Sequence, residues 1–259
     1  MVIKSSVQIY NISGEATKRI KLPSVFSTPV RPDIIVKVVT ALQSHRRQPQ
    51  GRNPKAGQRT SAESLGTGHD LSRVPRVKGE RYPRSGAAAI APGTVKGRAA
   101  HPPSSKAVIR KKINKKERIL ALRSAIAATA QKELVSNRGH AVADVLNFPL
   151  VVDDSLQEIA RTKQLQETLV KLGVWPDIVR VSTHVKTRSG KTKGRRSHRR
   201  VPKGPLLVVT EDKGISKASR NLPGLEVAKV SHLNADQLAP GTHPGRLTVW
   251  SESAIKGLR

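Results

Sequence analysis

The chain has 259 residues, with 48 lysines and arginines against 18 aspartates and glutamates, a formal net charge of +30. It has no cysteine, which excludes disulfides and thiolate metal sites, and no apolar run reaches the ~18 residues of a membrane span. Only 2% of its residues are aromatic, which argues against stacking platforms built from exposed rings.

The first residues, MVIKSSVQIY, lack the long apolar core and cleavage signal of a secretory leader. Residues 7–12 and 16–22 flank Ser13-Gly14 and read as a β-hairpin. Pro32 opens a helix with Ile34, Ile35, Val38, Val39 and Leu42 on one face, ending near Ser44.

A long basic stretch follows, from His45 to Lys116. It holds eighteen basic residues against Glu63, Asp70 and Glu80, and is laced with glycine and proline. Between His45 and Pro103 its only large aliphatics are Leu65, Leu71, Val74, Val77, Ile90 and Val95. That is too little apolar surface to offset the entropy of ordering the chain. A structureless loop longer than ~15 residues is either functional or disordered. The stretch is expected to be disordered when free and to take its shape from a polyanion.

Regular structure resumes at Asn114, which can cap a helix with Glu117 completing a capping box. Ile119, Leu122 and Ile126 follow at helical spacing, and alanines 121, 125, 127, 128 and 130 suit close packing on a sheet. The run VLNFPLVV (145–152) fits strand or helix, and Pro149 weakens a central-strand assignment. Asp154 is expected to cap one helix carrying Leu156, Ile159, Leu165 and Leu169 and stopping at Gly173. Residues 178–181 are expected to form a short strand.

A second basic run, 186–203, has nine basic residues and no acid. After it, 206–210 reads as a buried parallel strand. A short helix over 215–220, a strand over 225–230, a helix capped by Asn234, a strand over 247–250 and a terminal helix capped by Ser251 complete the pattern. The alternation predicts an α/β fold: a single globular domain with a mostly parallel sheet flanked by helices, plus a long non-globular internal loop. The expected division is a globular part, 1–44 with 113–259; an extended basic loop, 45–112, which the family resemblance described below makes RNA-penetrating; and a second basic, RNA-contacting loop, 184–204, within the globular part.

Candidate phosphate contacts in the first run are Arg46, Arg47, Arg52, Lys55, Arg59, Arg73, Arg76, Lys78, Arg81, Arg84, Lys96, Arg98, Lys111 and Lys112. In the second they are Arg188, Lys191, Lys193, Arg195, Arg196, Arg199 and Arg200. Arginine's planar fork suits phosphate, glycine lets backbone approach it, and proline limits the freedom lost on binding. Most charge runs are solvated faces, but these lack compensating acids and the first is too long for an ordinary surface loop. Ser189-Gly190-Lys191-Thr192 resembles the tail of a P-loop, yet Val185 stands where its first glycine belongs. Gly66-Thr67-Gly68 begins like a dinucleotide fingerprint, but Leu71 replaces the third glycine. The eight histidines include no i,i+4 pair for a metal, and no catalytic constellation appears.

At several of these positions the sequence resembles the L-four family of large-ribosomal-subunit proteins, in its archaeal and eukaryotic branch. The carrying motifs are Pro29-Val-Arg-Pro-Asp33, Arg59-Thr-Ser-Ala-Glu-Ser-Leu65-Gly-Thr-Gly68, Ser72-Arg-Val-Pro-Arg-Val77, Ile113-Asn-Lys-Lys-Glu117, Arg123-Ser-Ala-Ile-Ala-Ala128 and Gly139-His140. Leu65 stands where the family often has tryptophan, and His69 where arginine often follows Gly-Thr-Gly. The short C-terminus makes the chain look archaeal.

The resemblance implies a cytoplasmic, non-catalytic ribosomal constituent without cofactor, metal, membrane or small-molecule substrate. It implies rRNA contacts at Arg59, Arg73, Arg76, Lys78 and Arg84. A tip within residues 66–86, including Gly66, Gly68, His69, Arg73 and Arg76, would line the nascent-peptide tunnel. The implied partners are large-subunit rRNA, neighbouring large-subunit proteins and the passing nascent polypeptide. Alternatives are an RNA chaperone or assembly factor that leaves the mature particle, a chromatin-like DNA binder, and a Rossmann-like nucleotide-dependent protein.

Overall fold

In the computed structural model, which describes residues 6–81, 83–195 and 197–258, short apolar segments assemble into a sheet with helices on both faces. In chain order the elements are β1 (Ser6–Tyr10), β2 (Ala16–Lys21), α1 (Pro32–Ser44), β3 (Ala62–Glu63), β4 (Arg76–Val77), α2 (Lys115–Thr129), α3 (Lys132–Asn137), β5 (Leu150–Val152), α4 (Thr162–Lys171), α5 (Trp175–Thr183), β6 (Lys186–Thr187), α6 (Thr192–Arg195), β7 (Arg199–Arg200), β8 (Leu206–Val209), α7 (Ile215–Ser219), β9 (Glu226–Lys229), α8 (Ala235–Leu238), β10 (Thr248–Ser251) and α9 (Glu252–Lys256). The chain divides into two compact units, one holding the residues up to Gln43 and from Lys112 onward, the other Ser44–Lys111.

The larger unit is built on a six-stranded sheet of order β2-β1-β5-β10-β8-β9. β1 and β2 are antiparallel, and the other neighbours are parallel. Side chains alternate across the sheet, so each central strand feeds two cores. Val151, Leu206, Val208 and Trp250 enter one core with Ile35, Val38, Val39, Ala121, Ala125, Leu238 and Ile255 from α1, α2, α8 and α9. Leu150, Val152, Leu207, Val209 and Val249 enter the other with Val135, Leu165, Leu169, Ile178 and Ile215 from α3, α4, α5 and α7. In the first core Trp250 meets Phe26 edge to face at 5.7 Å and donates Nε1–H to Thr248 Oγ1 at 3.0 Å. β2, an exposed edge strand, carries Lys18, Arg19 and Lys21, which discourage pairing with another chain.

The hairpin, the helix to Ser44, the parallel strand at 206, the mostly parallel α/β sheet and the Ser251 cap, whose Oγ accepts from Ala254 N at 3.2 Å, are all present. Four local expectations are corrected. Residues 178–181 lie within α5, not a strand. Pro176 and Asp177 favour a helix start, and Ile178 and Val181 share its buried face. The single helix expected after Asp154 is two elements. Asp153 caps a 3₁₀ turn over Asp154–Glu158, and α4 starts anew at Thr162. Asp154 Oδ1 is held by Ser253 N, Ser253 Oγ and Gln157 Nε2, which fixes that turn.

Asn114 precedes α2 without a side-chain cap, and Glu117 instead pairs with Lys37 Nζ at 2.7 Å. Ile119 is 43% exposed, and the packed face of α2 is made of its alanines with Ser124 and Ile126. Ser124 Oγ accepts from Arg31 N at 2.7 Å, tying α2 to the start of α1. Finally, β5 is a central strand after all. Pro149 sits just before its first residue, where no ladder N–H is required. Gly173 ends this region at φ +72°, and a Cβ there would lie 1.9 Å from Asp144 O.

Candidate nucleic-acid interface

The Ser44–Lys111 unit is closed at its base. Ser44 Oγ accepts from Lys111 N at 3.0 Å, and His45 Nε2 lies 3.0 Å from Lys111 O. Further along, Gly57 lies so close to Gly97 that an added Cβ would sit 2.5 Å from the Gly97 carbonyl. β3 and β4 pair antiparallel, and the 86–89 segment joins them through Val77 N to Ala87 O at 3.0 Å and Ala89 N to Pro75 O at 2.8 Å. Apart from Ser44, the only residues of the unit classed as buried, among those described, are Val77 and Ala89. Leu65, Leu71, Val95 and Val108 are all exposed. Backbone hydrogen bonds and turns, rather than an apolar core, hold this unit together.

Its cations point outward. Arg46, Arg47, Arg52, Lys55, Arg59, Arg73, Lys78, Arg81, Lys96 and Lys111 are exposed, as is Lys112 at the start of the larger unit's second segment, and Arg76, Arg84 and Arg98 are half-buried. They are strung along the segment. A few are tethered: Arg52 Nη2 to Ala56 O at 3.1 Å, Arg76 Nη1 to Gly86 O at 3.0 Å, Arg84 Nη2 to Val95 O at 2.7 Å, and Lys78 Nζ to Glu63 at 2.5 Å. Gly66 (φ +77°) and Gly68 (φ +88°) lie in open space beside exposed His69.

The second basic run is a two-stranded ribbon, β6 against β7, with Lys186 opposite Arg200 and Thr187 opposite Arg199. Like charges directly opposite destabilise a ribbon, so the element carries its own demand for a polyanion. Lys191, Lys193, Arg199 and Arg200 are exposed and Arg188 half-buried. The side chain of Arg195 and all of Arg196 lie outside the described residues. Ser189–Thr192 stands between β6 and β7, not between a buried strand and a long helix, so it lacks the setting of a P-loop. Arg76 Nε and Arg188 Nε, one in each run, are buried without a hydrogen-bond partner among the described residues.

The ribbon is rooted in a buried polar network that the sequence did not disclose. Asp177 accepts from Arg180 Nε at 2.8 Å and from Ala141 N at 2.9 Å, and lies 2.9 Å from His140 Nδ1. Arg180 Nη2 reaches Lys203 O at 3.3 Å. Burial raises the Asp177 carboxyl, but its bonds to His140 and Arg180 outweigh this and hold it below the usual carboxylate range. Burial pushes the His140 imidazole down more than Asp177 lifts it. Arg246, 0% exposed, donates to Gly204 O at 2.8 Å, Gln237 O at 2.9 Å and Glu226 at 2.7 Å. Gly139-His140 was the one visible sign of this network, and it came through resemblance alone.

The carboxyl ends of β5, β8 and β10, where open α/β sheets receive ligands, are closed by the protein itself. Gln157 Nε2 donates to Asp154, Ser251 and Ser253, Gln157 Oε1 accepts from Glu211 N, and Thr210 Oγ1 donates to Ser253 Oγ.

The model of the ribosomal protein L4/L1 family matches residues 20–259. The chain is similar to the large ribosomal subunit protein uL4 of Methanosphaera stadtmanae, 47% identical over 254 residues, covering 98% of this chain and 96% of the relative. It is similar to that of Methanopyrus kandleri at 46% identity, 96% of each chain covered, and to that of Archaeoglobus fulgidus at 46% identity, 97% of each covered. With an α/β sheet that bears two basic excursions, and with relatives that match it from end to end, the chain belongs to the ribosomal protein L4/L1 family.

Proposed function

We propose that the chain is a non-catalytic structural constituent of the large ribosomal subunit that binds large-subunit rRNA. The carrying observation is the Ser44–Lys111 unit, densely cationic and with almost no apolar core of its own. Such a segment gains its stabilisation by neutralising phosphates, where mutual repulsion otherwise keeps RNA helices apart. Free in solution it is disordered and orders on RNA, a coupled folding step. Its tip, about residues 66–86, lies beside the nascent-peptide tunnel, and Arg59, Arg73, Arg76, Lys78 and Arg84 contact rRNA on the way. The 184–204 ribbon adds contacts from the surface of the larger unit, and neighbouring large-subunit proteins complete the surroundings. The unpartnered Nε donors of Arg76 and Arg188 support this reading, because a swing of either side chain toward a phosphate satisfies a donor whose isolation costs about 1–3 kcal/mol.

The test is a sucrose gradient of cell lysate probed for the chain, before and after a high-salt wash of the ribosomes. Retention at a fixed stoichiometry in the large-subunit peak is expected. Loss to light fractions on washing points instead to an assembly factor.

A further inference from the structure

The end of α3 and the segment leading into β10 line a half-open pocket of about 400 Å³, formed by Leu134, Asn137, Arg138, His243 and Pro244. Its size suits one small organic group. Its walls are fixed. Gly245, at φ +88°, lies so close to α3 that a Cβ would sit 2.6 Å from Leu134 O. Thr242, two residues after Pro240, takes φ +77°, which a β-branched side chain rarely adopts. Strain of that kind persists where surrounding structure enforces it, often at ligand sites.

The cavity is short of negative charge. Arg138 donates to the carbonyls of Pro240, at 2.6 Å, and His243. These bonds leave guanidinium donors to spare. No carboxylate pairs with Arg138 among the described residues. Burial, with the nearby charges of Arg246 and Arg180, pushes it down to about 10. Those same two arginines hold the root of the basic ribbon, through Gly204 O and Lys203 O. The cavity therefore continues the cationic side of the larger unit that the ribbon begins.

We propose that this cavity seats one unstacked nucleotide of the rRNA, its phosphate on Arg138 and its base against His243 and Pro244. The inference rests on the rRNA-binding reading and adds a site to it. Imidazole and proline faces stack on any base, and the Asn137 amide can read a base edge. An unstacked nucleotide fits better than a duplex because a space of about 400 Å³ takes one base and not a paired helix.

Full-length chains carrying Asn137→Ala or His243→Ala, both at exposed positions, are compared with the unaltered chain for binding to deproteinised large-subunit rRNA. Each variant is expected to bind at least about fivefold more weakly, the lower end for loss of one stacked base, with an unchanged thermal midpoint. Arg138→Gln should also lower the slope of log affinity against log salt by about 0.7–0.9, and Arg138→Lys should preserve it. A fully paired RNA duplex should bind the unaltered chain and both alanine variants alike. If the unaltered chain binds rRNA and the alanine variants bind as tightly, this site is refuted and the rRNA reading stands. Equal weakening on the duplex refutes the seat for an unstacked base. Failure of the unaltered chain to bind rRNA at all overturns both.

Discussion

At the scale of single residues, the buried His140–Asp177–Arg180 network sets how the larger unit responds to acid. His140 is buried and its imidazole is depressed below 6.5. An unfolded chain therefore takes up that proton before the folded one does, and stability falls as pH drops below the unfolded value of about 6.5. Asp177, also held low, adds a second loss once pH falls below about 4. Both effects have the same sign: acid destabilises. The unfolding free energy from urea titration is expected to stay level above pH 7 and then to decline, with a slope of at most about 1.4 kcal/mol per pH unit for the one histidine. His140→Gln should flatten the part of the decline that begins just below the unfolded value of about 6.5. An unaltered slope in that variant assigns the acid sensitivity elsewhere.

At the scale of elements, α2 shows how the packing partner chooses the face. Its apolar spacing pointed to Ile119, Leu122 and Ile126 and its alanines to close packing; Ala121, Ala125, Ala127 and Ala128 are fully enclosed and Ile126 is buried with them, whereas Ile119 is exposed. At these alanine positions the helix is seated so closely on its neighbours that a methyl group fills the space. Ala127→Leu is expected to cost about 1–3 kcal/mol by overpacking, whereas Ile119→Ala should cost less than that, as read from denaturant midpoints. The ribbon makes the opposite trade. Arg199 and Arg200 are exposed, and Lys186 faces Arg200 across the strands. Replacing both arginines with alanine should leave the melting temperature within experimental error. It should also lower the salt slope of rRNA binding by about 0.7–0.9 for each phosphate that the variant no longer neutralises. An unchanged slope removes these two side chains from the interface.

At the scale of the whole molecule, the Ser44–Lys111 unit begins and ends at one hydrogen-bonded point, Ser44 Oγ to Lys111 N. Removing residues 46–110 and joining the ends with two glycines should leave the sheet and both of its cores intact. A cooperative thermal transition by circular dichroism, close to that of the full chain, is expected, together with a large loss of rRNA affinity in filter binding. A collapse of the transition shows that the sheet needs the excursion. Much of this layout was legible in the sequence because its causes are local. Proline at 32, glycine at 173, the apolar runs at 206 and 248, and the Ser251 cap act through nearest neighbours, and the two charge runs are visible to simple counting. Residues 178–181 were misread because a short β-branched run fits strand or helix by spacing alone, and it is Pro176 and Asp177 that start a helix there. The split after Asp154 has a distant origin, in Ser253. Composition and spacing alone determined that this is an α/β domain with two cationic excursions. Only the tertiary structure decided which arginines are buried in the root of the ribbon and which are left facing outward, because that choice depends on carbonyl and carboxylate partners supplied by distant segments of the chain.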